Sequence, residues 1–278
     1  MKNMAQYIES SPVSPSINDL DLSALSSASW DDELDFDASG SSDSGSSIDE
    51  APLLYSPRTL KLTVWQDPNC PCCYIGDREM DKAIACVRER EGDVQVQLEY
   101  KPFLVDPALP FGKPISRQEH LKDRYGSLQA ESLQRMIRTR GEELGIDFKF
   151  TGPISSSLNA HRLIMHAYTI GGGLAQQHLL SAIHRSVLEE CQDVGCIDLL
   201  SSCAEKAGIM SKAEALDFLR SGELGEKVHE EIVVARTERG VSGVPFTVID
   251  DKWAVTGGQS ADVYEQIFMK VLKKEIVG

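Results

Sequence analysis

The hydrophobic pattern first becomes regular at residue 60, where the stretch LKLTVWQ is apolar and β-branched and contains no turn residue. This pattern predicts a buried strand. Residues 74–91 then carry apolar side chains at helical spacing, and DVQVQLEYKPF alternates apolar and polar positions as a second strand does. Strand, helix and strand within about 45 residues predict a parallel βαβ unit with a right-handed crossover.

A long helical region follows, after which the chain returns to mixed structure. Two Ser-x-x-Glu sequences, beginning at Ser116 and Ser211, match the capping box that starts helices. The apolar spacing between them predicts four to six helices over about residues 116–220. Beyond this region we expect one helix, the short strands PFTVID and WAVTG joined by a hairpin turn at IDDKW, and a closing helix with a basic end.

Without the helical region, the predicted order is β-α-β-α-β-β-α, which is the layout of the thioredoxin fold. The sequence therefore predicts an α/β protein with a thioredoxin fold interrupted by a helical insertion. We assign residues 58–103 to the N-terminal part of that fold, 104–225 to the insertion and 226–278 to the C-terminal part.

Residues 1–57 have a different composition, with fifteen serines, eleven acidic residues and one lysine. A segment with so little to bury cannot offset the entropy of ordering it, so we predict a disordered acidic tail. Within it, INDLDLSALSSASWDDELDF alternates carboxylates with large apolar residues. We interpret this stretch either as a solvating tail or as a docking segment for a protein partner.

Charge and hydropathy narrow the classes of partner. The net charge of −15 and the pI near 4.8 disfavour binding to nucleic acid or to an anionic membrane. No apolar run approaches the ~20 residues of a membrane helix. The first residues also lack the basic and apolar regions of a secretory signal, so we expect a cytoplasmic protein. In a reducing compartment, closely spaced cysteines are more often catalytic or metal-binding than structural.

Three of the seven cysteines, Cys70, Cys72 and Cys73, surround Pro71 at the predicted junction of the first strand and helix. A helix N-terminus favours negative charge, so we expect a lowered pKa and a reactive thiolate at Cys70. Cys73, one turn later, is placed to attack a mixed disulfide formed at Cys70. Zinc and Cu(I) are the alternatives, but a structural zinc site needs a second ligand pair, and we expect no metal.

The combination of DPNCPxCYIG after a strand, NAHRLIMHA in the insertion and SGVPFTVI near the end resembles the DsbA-like thioredoxin superfamily. Its most similar branch is the cytosolic FrnE-like group, related to 2-hydroxychromene-2-carboxylate isomerase. The resemblance covers about residues 60–274. It implies thiol–disulfide exchange with Cys70 as attacking and Cys73 as resolving cysteine, a cis-proline turn at Val244-Pro245, and an insertion covering the active site, from which His161 would contact substrate.

One residue departs from that branch, because Cys72 stands where the branch usually has tryptophan. The resemblance therefore leaves the redox strength open, and Cys72 is a candidate for an alternative disulfide. Cys191 and Cys196, five residues apart near a predicted helix end, are either an accessory redox pair or two unrelated thiols. Cys72–Cys73 pairing would be strained, whereas Cys70–Cys73 has suitable reach.

Three functions remain open at this point. The first is a protein disulfide oxidoreductase acting on disulfide-containing proteins or small thiols without a cofactor, with glutathione as a candidate co-substrate. The second is a glutathione-dependent kappa-class transferase or isomerase, whose family typically carries serine where Cys70 stands. The third is a non-catalytic binding module that uses the acidic tail to recruit a partner.

Overall fold

The computed structural model describes residues 58–274, so the predicted tail at 1–57 lies outside the described residues. The strands of the described part are β1 (Arg58–Gln66), β2 (Val94–Pro102), β3 (Ile115–Ser116), β4 (Pro153–Ile154), β5 (Phe246–Ile249) and β6 (Trp253–Thr256). The helices are α1 (Pro71–Glu91), α2 (Arg117–Tyr125), α3 (Ser127–Glu143), α4 (Leu158–Leu188), α5 (Ile197–Lys206), α6 (Lys212–Ser221), α7 (Gly225–Thr237) and α8 (Ala261–Lys274).

Four strands form the central sheet in the order β2-β1-β5-β6. β1 and β2 are parallel, with Leu62 opposite Leu98, and α1 makes the crossover between them. β5 runs antiparallel to both β1 and β6. This is the thioredoxin arrangement. β1 lies between β2 and β5, and its apolar side chains are accordingly buried. The predicted βαβ unit is confirmed.

The predicted hairpin at IDDKW is also confirmed. Asp250 and Asp251 adopt φ values of 49° and 55°, which lie in the left-handed region where aspartate is tolerated better than most residues. Two successive positive φ values give a turn whose twist matches that of the flanking strands. The Asp250 side chain accepts a hydrogen bond from the Lys61 backbone N–H at 2.9 Å, which ties the turn to β1.

The predicted helical region contains five helices, α2 to α6, and the small β3–β4 hairpin, and α7 follows it before β5. The expected four to six helices are therefore found. Within α4, NAHRLIMHAYTIGG and QQHLLSAIHRSVLEEC belong to two helical stretches that follow each other directly. Gly171 and Gly172 leave helical geometry inside α4 and produce a kink. Both predicted capping serines start helices, and Ser211 with Glu214 forms the complete reciprocal capping box.

The kinked helix α4 is joined to the edge of the sheet through the side chain of Gln176. This buried amide accepts a hydrogen bond from the Tyr100 N–H at 2.8 Å and donates to the Tyr100 carbonyl at 3.0 Å. Gly173 makes the approach feasible, because a Cβ there would lie 1.9 Å from the Leu98 carbonyl oxygen. One hydrophobic core continues from the sheet and α8 into α4, α5 and α6. The insertion is thus packed into the thioredoxin part.

Candidate active site

The turn that leads from β1 into α1 is shaped by the side chain of Asp67. Its two carboxylate oxygens accept hydrogen bonds from the backbone N–H groups of Asn69 at 3.0 Å and Val105 at 2.8 Å. The Cys70 N–H donates to the Asp67 carbonyl at 2.8 Å, and Pro71 then occupies the first position of the helix. Aspartate turns of this kind and proline at a helix start are both locally favoured. The sequence DPNCP therefore fixes Cys70 at the helix N-cap.

Three thiols meet at this helix start. Cys70 is partly buried in extended geometry, with φ −92° and ψ 111°, and its pKa responds to the thiols of both Cys72 and Cys73. Cys72 is partly exposed, whereas Cys73 is fully buried. All seven cysteines of the chain lie within the described residues and are free thiols, so this is the reduced form of the site.

The expectation of a lowered pKa at Cys70 is wrong for this reduced cluster. A hydrogen bond from Cys72 favours the Cys70 thiolate, but hydrogen bonding to Cys73, burial and repulsion from Cys73 outweigh it. The pKa of Cys70 is therefore raised well above its usual value. Burial is the largest cause of the raised pKa of Cys73, and the hydrogen bond with Cys70 is the largest cause at Cys72. The crowding of three thiols, which a dipole argument ignores, explains the difference.

A loop from the C-terminal part of the fold faces Cys70. The Val244-Pro245 peptide bond in this loop is cis, as predicted. The Cys70 Sγ lies 3.7 Å from the Val244 carbonyl oxygen and is positioned to donate a hydrogen bond to it. Pro245 is buried, and its own carbonyl accepts a hydrogen bond from the Gly257 N–H at 2.8 Å. The loop is thereby anchored beside the reactive sulfur.

Two glycines allow this loop, α1 and the β6–α8 connection to converge. A Cβ at Gly76 would lie 3.1 Å from the Pro245 ring, and one at Gly258 would lie 2.8 Å from the Cys72 carbonyl oxygen. From the insertion, Arg140 on α3 reaches the same place and donates to the Gly258 carbonyl at 2.9 Å. Any larger residue at position 258 would therefore displace the helix start that carries the cysteines.

The insertion supports the other side of the active-site turn through Arg117, which sequence reasoning missed. Its buried guanidinium donates to the Asn69 carbonyl at 3.4 Å and to the Asn69 side-chain oxygen at 3.2 Å. Asn69 in turn donates to the Ser155 carbonyl at 2.9 Å. Burial lowers the pKa of Arg117 to about 10. An arginine in the first turn of a predicted helix gives no sequence signal that it is buried against a distant loop.

Behind Cys73, one turn further along α1, lies a second unpredicted group of polar residues. Asp77 is 3.6 Å from the ring of His184 on α4, and His184 also stacks on Tyr74 at 5.0 Å between ring centroids. Burial raises the pKa of Asp77 well above its usual value and lowers the pKa of His184 to about 3. His184 is therefore uncharged at neutral pH, and burial disfavours the charged form of Asp77. Neither ring nitrogen of His184 has a hydrogen-bond partner among the described residues.

His161 does not reach the surface where a substrate would bind. Its side chain is only 2% exposed, and Nε2 lies 2.9 Å from the Phe103 carbonyl oxygen, within hydrogen-bond distance. Burial lowers its pKa, so the ring is neutral at pH 7. The predicted substrate contact is withdrawn for this reason. His161 instead supports the end of β2, next to the active-site turn.

Cys191 and Cys196 lie apart from the three-thiol cluster along the chain, in and beside the loop that joins α4 to α5. Cys191 has a φ of 59° and lies 3.6 Å from the Thr151 hydroxyl, while Cys196 is exposed at the N-cap of α5. The helix end lies slightly earlier than predicted, since α4 ends at Leu188, before Cys191. Their role as an accessory redox pair stays a prediction.

Within residues 58–274, no group of three or more Cys, His, Asp or Glu side chains is arranged to hold a metal ion. In the same range no helix combines the length and the apolar composition needed to span a bilayer.

A thiol pair at the first helix, a cis-proline loop beside it and a thioredoxin sheet with a helical insertion define a thioredoxin-fold protein with a thiol site. The model of the DSBA-like thioredoxin domain family matches residues 61–268, and the chain belongs to this family. Members act on disulfides or thiols as oxidoreductases or isomerases, and DsbA-like proteins need no bound cofactor.

Individual relatives are consistent with this assignment. The uncharacterized protein YwbO of Bacillus subtilis is 23% identical over 218 residues, which cover 78% of this chain and 100% of YwbO. A probable DsbA oxidoreductase from Streptomyces coelicolor superposes with a TM-score of 0.67 at 25% identity, covering 76% of this chain and 89% of its own. A 2-hydroxychromene-2-carboxylate isomerase structure gives a TM-score of 0.56 at 15% identity, covering 78% and 98%, and shows a shared fold.

Proposed function

We propose that this protein is a thiol–disulfide oxidoreductase of the FrnE-like branch. The Cys70 thiolate attacks a substrate disulfide, one substrate thiol leaves, and Cys73 then attacks the Cys70 sulfur to release the second. The observation that carries the proposal is the placement of Cys70 at the N-cap of α1, with its sulfur 3.7 Å from the Val244 carbonyl oxygen and with the Cys73 N–H bonded to the Cys70 carbonyl at 3.1 Å. Family membership supports the reaction class.

On the substrate side, we assign binding to the backbone of Val244 and Pro245. Their loop flanks Cys70, Val244 is only partly buried, and its backbone can pair with an extended peptide that approaches the sulfur. Disulfide-containing proteins and small disulfides such as oxidised glutathione are the substrates we expect. The negative charge of the chain agrees with a location away from nucleic acid, and we place the protein in the cytoplasm.

The raised pKa values of the cluster favour reduction of substrates over their oxidation. A strong oxidant of this class is one whose reduced form is stabilised, as happens when its attacking cysteine is a thiolate at neutral pH. Here the reduced form gains no such stabilisation, because burial and neighbouring thiols oppose ionisation of Cys70 and Cys73. The dithiol is therefore expected to give up its electrons readily.

Reduction of insulin disulfides with dithiothreitol as electron donor tests the proposal. We expect Cys70→Ser to lower turnover by about 100-fold or more, since Cys70 is the attacking thiol in contact with the Val244 carbonyl. Cys86→Ser, which alters a partly exposed cysteine elsewhere on α1, is the matched control and should retain full turnover. Full activity in Cys70→Ser would refute the assignment.

The same assay separates the two rival functions. A glutathione-dependent transferase or isomerase would keep its activity in the double variant Cys72→Ser/Cys73→Ser, whereas an exchange enzyme would lose it. A non-catalytic binding module would show no insulin reduction by the unmodified protein.

A further inference from the structure

The proposed exchange between Cys70 and Cys73 leaves the third thiol of the cluster without a role. Cys72 occupies the second position of α1, two residues after Cys70, and the two thiols perturb each other's pKa. Cys72 is more accessible than Cys73, because it is partly exposed while Cys73 is 0% exposed.

The reach between Cys70 and Cys72 suits a disulfide. Two residues that are two positions apart span at most about 7 Å between Cα atoms, and disulfides join Cα atoms about 4.4–6.8 Å apart. Cys70 is extended and precedes the helix, whereas Cys72 lies within it, so the bend between them shortens the span. The two thiols also perturb each other's pKa, which agrees with a short span between them.

A cation of the insertion, Arg140, reaches the loop that packs against the Cys72 backbone. Arg140 on α3 is held by the Gly258 carbonyl at 2.9 Å and by Glu79 at 3.5 Å, and Gly258 packs against the Cys72 carbonyl. The positive charge of Arg140 favours the thiolate of Cys72 and opposes the effect of burial and of Cys70 on its pKa. Thiolate is the attacking form in disulfide exchange.

We propose that Cys72 is a second resolving cysteine, so that a substrate captured on Cys70 is released by attack of either neighbouring thiol. This inference rests on the proposed exchange function and adds a second route by which the bound substrate is released. Because Cys72 is nearer to solvent and Cys73 is buried, the two routes suit different mixed disulfides. A bulky substrate that keeps Cys73 from approaching leaves through Cys72.

The steps balance as follows. The Cys70 thiolate attacks the substrate R–S–S–R′, forming Cys70–S–S–R and releasing R′–S⁻, which takes up a proton. The Cys72 thiol loses its proton and attacks the Cys70 sulfur, which forms the Cys70–Cys72 disulfide and releases R–S⁻. The substrate disulfide gains two electrons and the two cysteines lose them. Cys73 can then attack Cys70 and transfer the disulfide to Cys70–Cys73 without net redox change, and an external thiol reductant restores the dithiol.

A single-turnover trap with insulin, in the absence of any reductant, tests the proposal. Reduced enzyme is mixed with insulin, free thiols are alkylated at intervals, and the Cys70 mixed disulfide is measured on non-reducing gels and by intact mass. In Cys73→Ser we expect the mixed disulfide to decay at least about tenfold faster than in Cys72→Ser/Cys73→Ser, where no resolving thiol remains. Peptide mapping of Cys73→Ser should show a Cys70–Cys72 disulfide.

Further variants make the result specific. Arg140→Gln in the Cys73→Ser background should slow the decay several-fold, Arg140→Lys should restore much of it, and Arg140→Gln in the Cys72→Ser background should change little. Because position 73 is buried, Cys73→Ala is made in parallel with the serine variant.

The outcomes also separate the two proposals. Equal accumulation of the mixed disulfide in Cys73→Ser and in the double variant, with Cys73→Ala behaving likewise, would overturn the role of Cys72 alone. Capture by Cys70→Ser at the rate of the unmodified protein would instead overturn the exchange function itself.

Discussion

The buried histidine behind the active site makes the stability of the fold depend on pH in a calculable way. His184 is completely buried on α4, stacks on Tyr74 and lies 3.6 Å from Asp77. The positive charge of Arg78 also disfavours protonation of the ring. We consider the substitution His184→Phe. It keeps an aromatic ring on Tyr74 and removes two buried nitrogens that have no hydrogen-bond partner within the described residues.

The magnitude follows from the pKa of His184, which burial lowers from 6.5 to about 3. The unfolded chain therefore binds a proton at this site over a pH range in which the folded chain does not. The stability that depends on neutral His184 is fully present above pH ~6.5. It is lost as the pH falls through the folded pKa, so acid lowers the free energy of unfolding. Complete protonation would cost about 5 kcal/mol, and a fall from pH 7 to about pH 4 costs about 3 kcal/mol, at ~1.36 kcal/mol per pKa unit.

Asp77 acts in the opposite sense. Its pKa is raised in the folded protein, so the contribution of Asp77 to the free energy of unfolding falls as the pH rises above the pKa of this residue in the unfolded chain. That term is shared by the unmodified protein and the variant, and comparison of the two isolates His184.

Urea unfolding of the full chain at several values between about pH 7 and pH 4 measures this difference. We expect the unmodified protein to lose about 3 kcal/mol more over this range than His184→Phe. His178→Gln, an exposed histidine on the same helix, should behave like the unmodified protein. The reasoning fails if His184→Phe loses as much stability in acid as the unmodified protein, because the folded ring would then accept a proton without penalty.

Two further substitutions test contacts that join the insertion and the C-terminal loop to the sheet and α1. Gln176→Leu removes the amide that pairs with the Tyr100 backbone and should lower the free energy of unfolding by about 2–5 kcal/mol, measured by urea unfolding; a change below about 1 kcal/mol would contradict it. Gly258→Ala places a methyl group 2.8 Å from the Cys72 carbonyl and should cost about 1–3 kcal/mol and slow insulin reduction. Unchanged stability and turnover in Gly258→Ala would contradict this, because the β6–α8 connection would then accommodate the methyl group without cost.

The elements whose residues are neighbours in sequence could be predicted from the sequence. The alternating sequence of β2, the β-branched and apolar residues of β1 and the two aspartates in the β5–β6 turn each favour their structure over a few residues. The position of Cys70 at the start of α1 follows in the same way, because Asp67 and Pro71 act locally.

The missing parts of the site depend on contacts between distant residues. Arg117 meets Asn69 across 48 positions, and His184 meets Asp77 only once α4 is folded against α1. His161 was misassigned because its motif identifies the segment but not which face of the helix is buried. The pKa of Cys70 was misjudged because it depends on where three sulfurs lie relative to one another.

The amide of Gln176 protects the sheet edge against pairing with a strand of another molecule. β2 is an outer strand of the sheet, and such strands present unpaired backbone groups to which another molecule can add a strand. At Tyr100 both of those groups are already occupied by a side chain from α4, which stands in for an adjacent chain. The insertion therefore covers the β2 edge at this position. A shortened protein without the insertion would need another way to cover that edge.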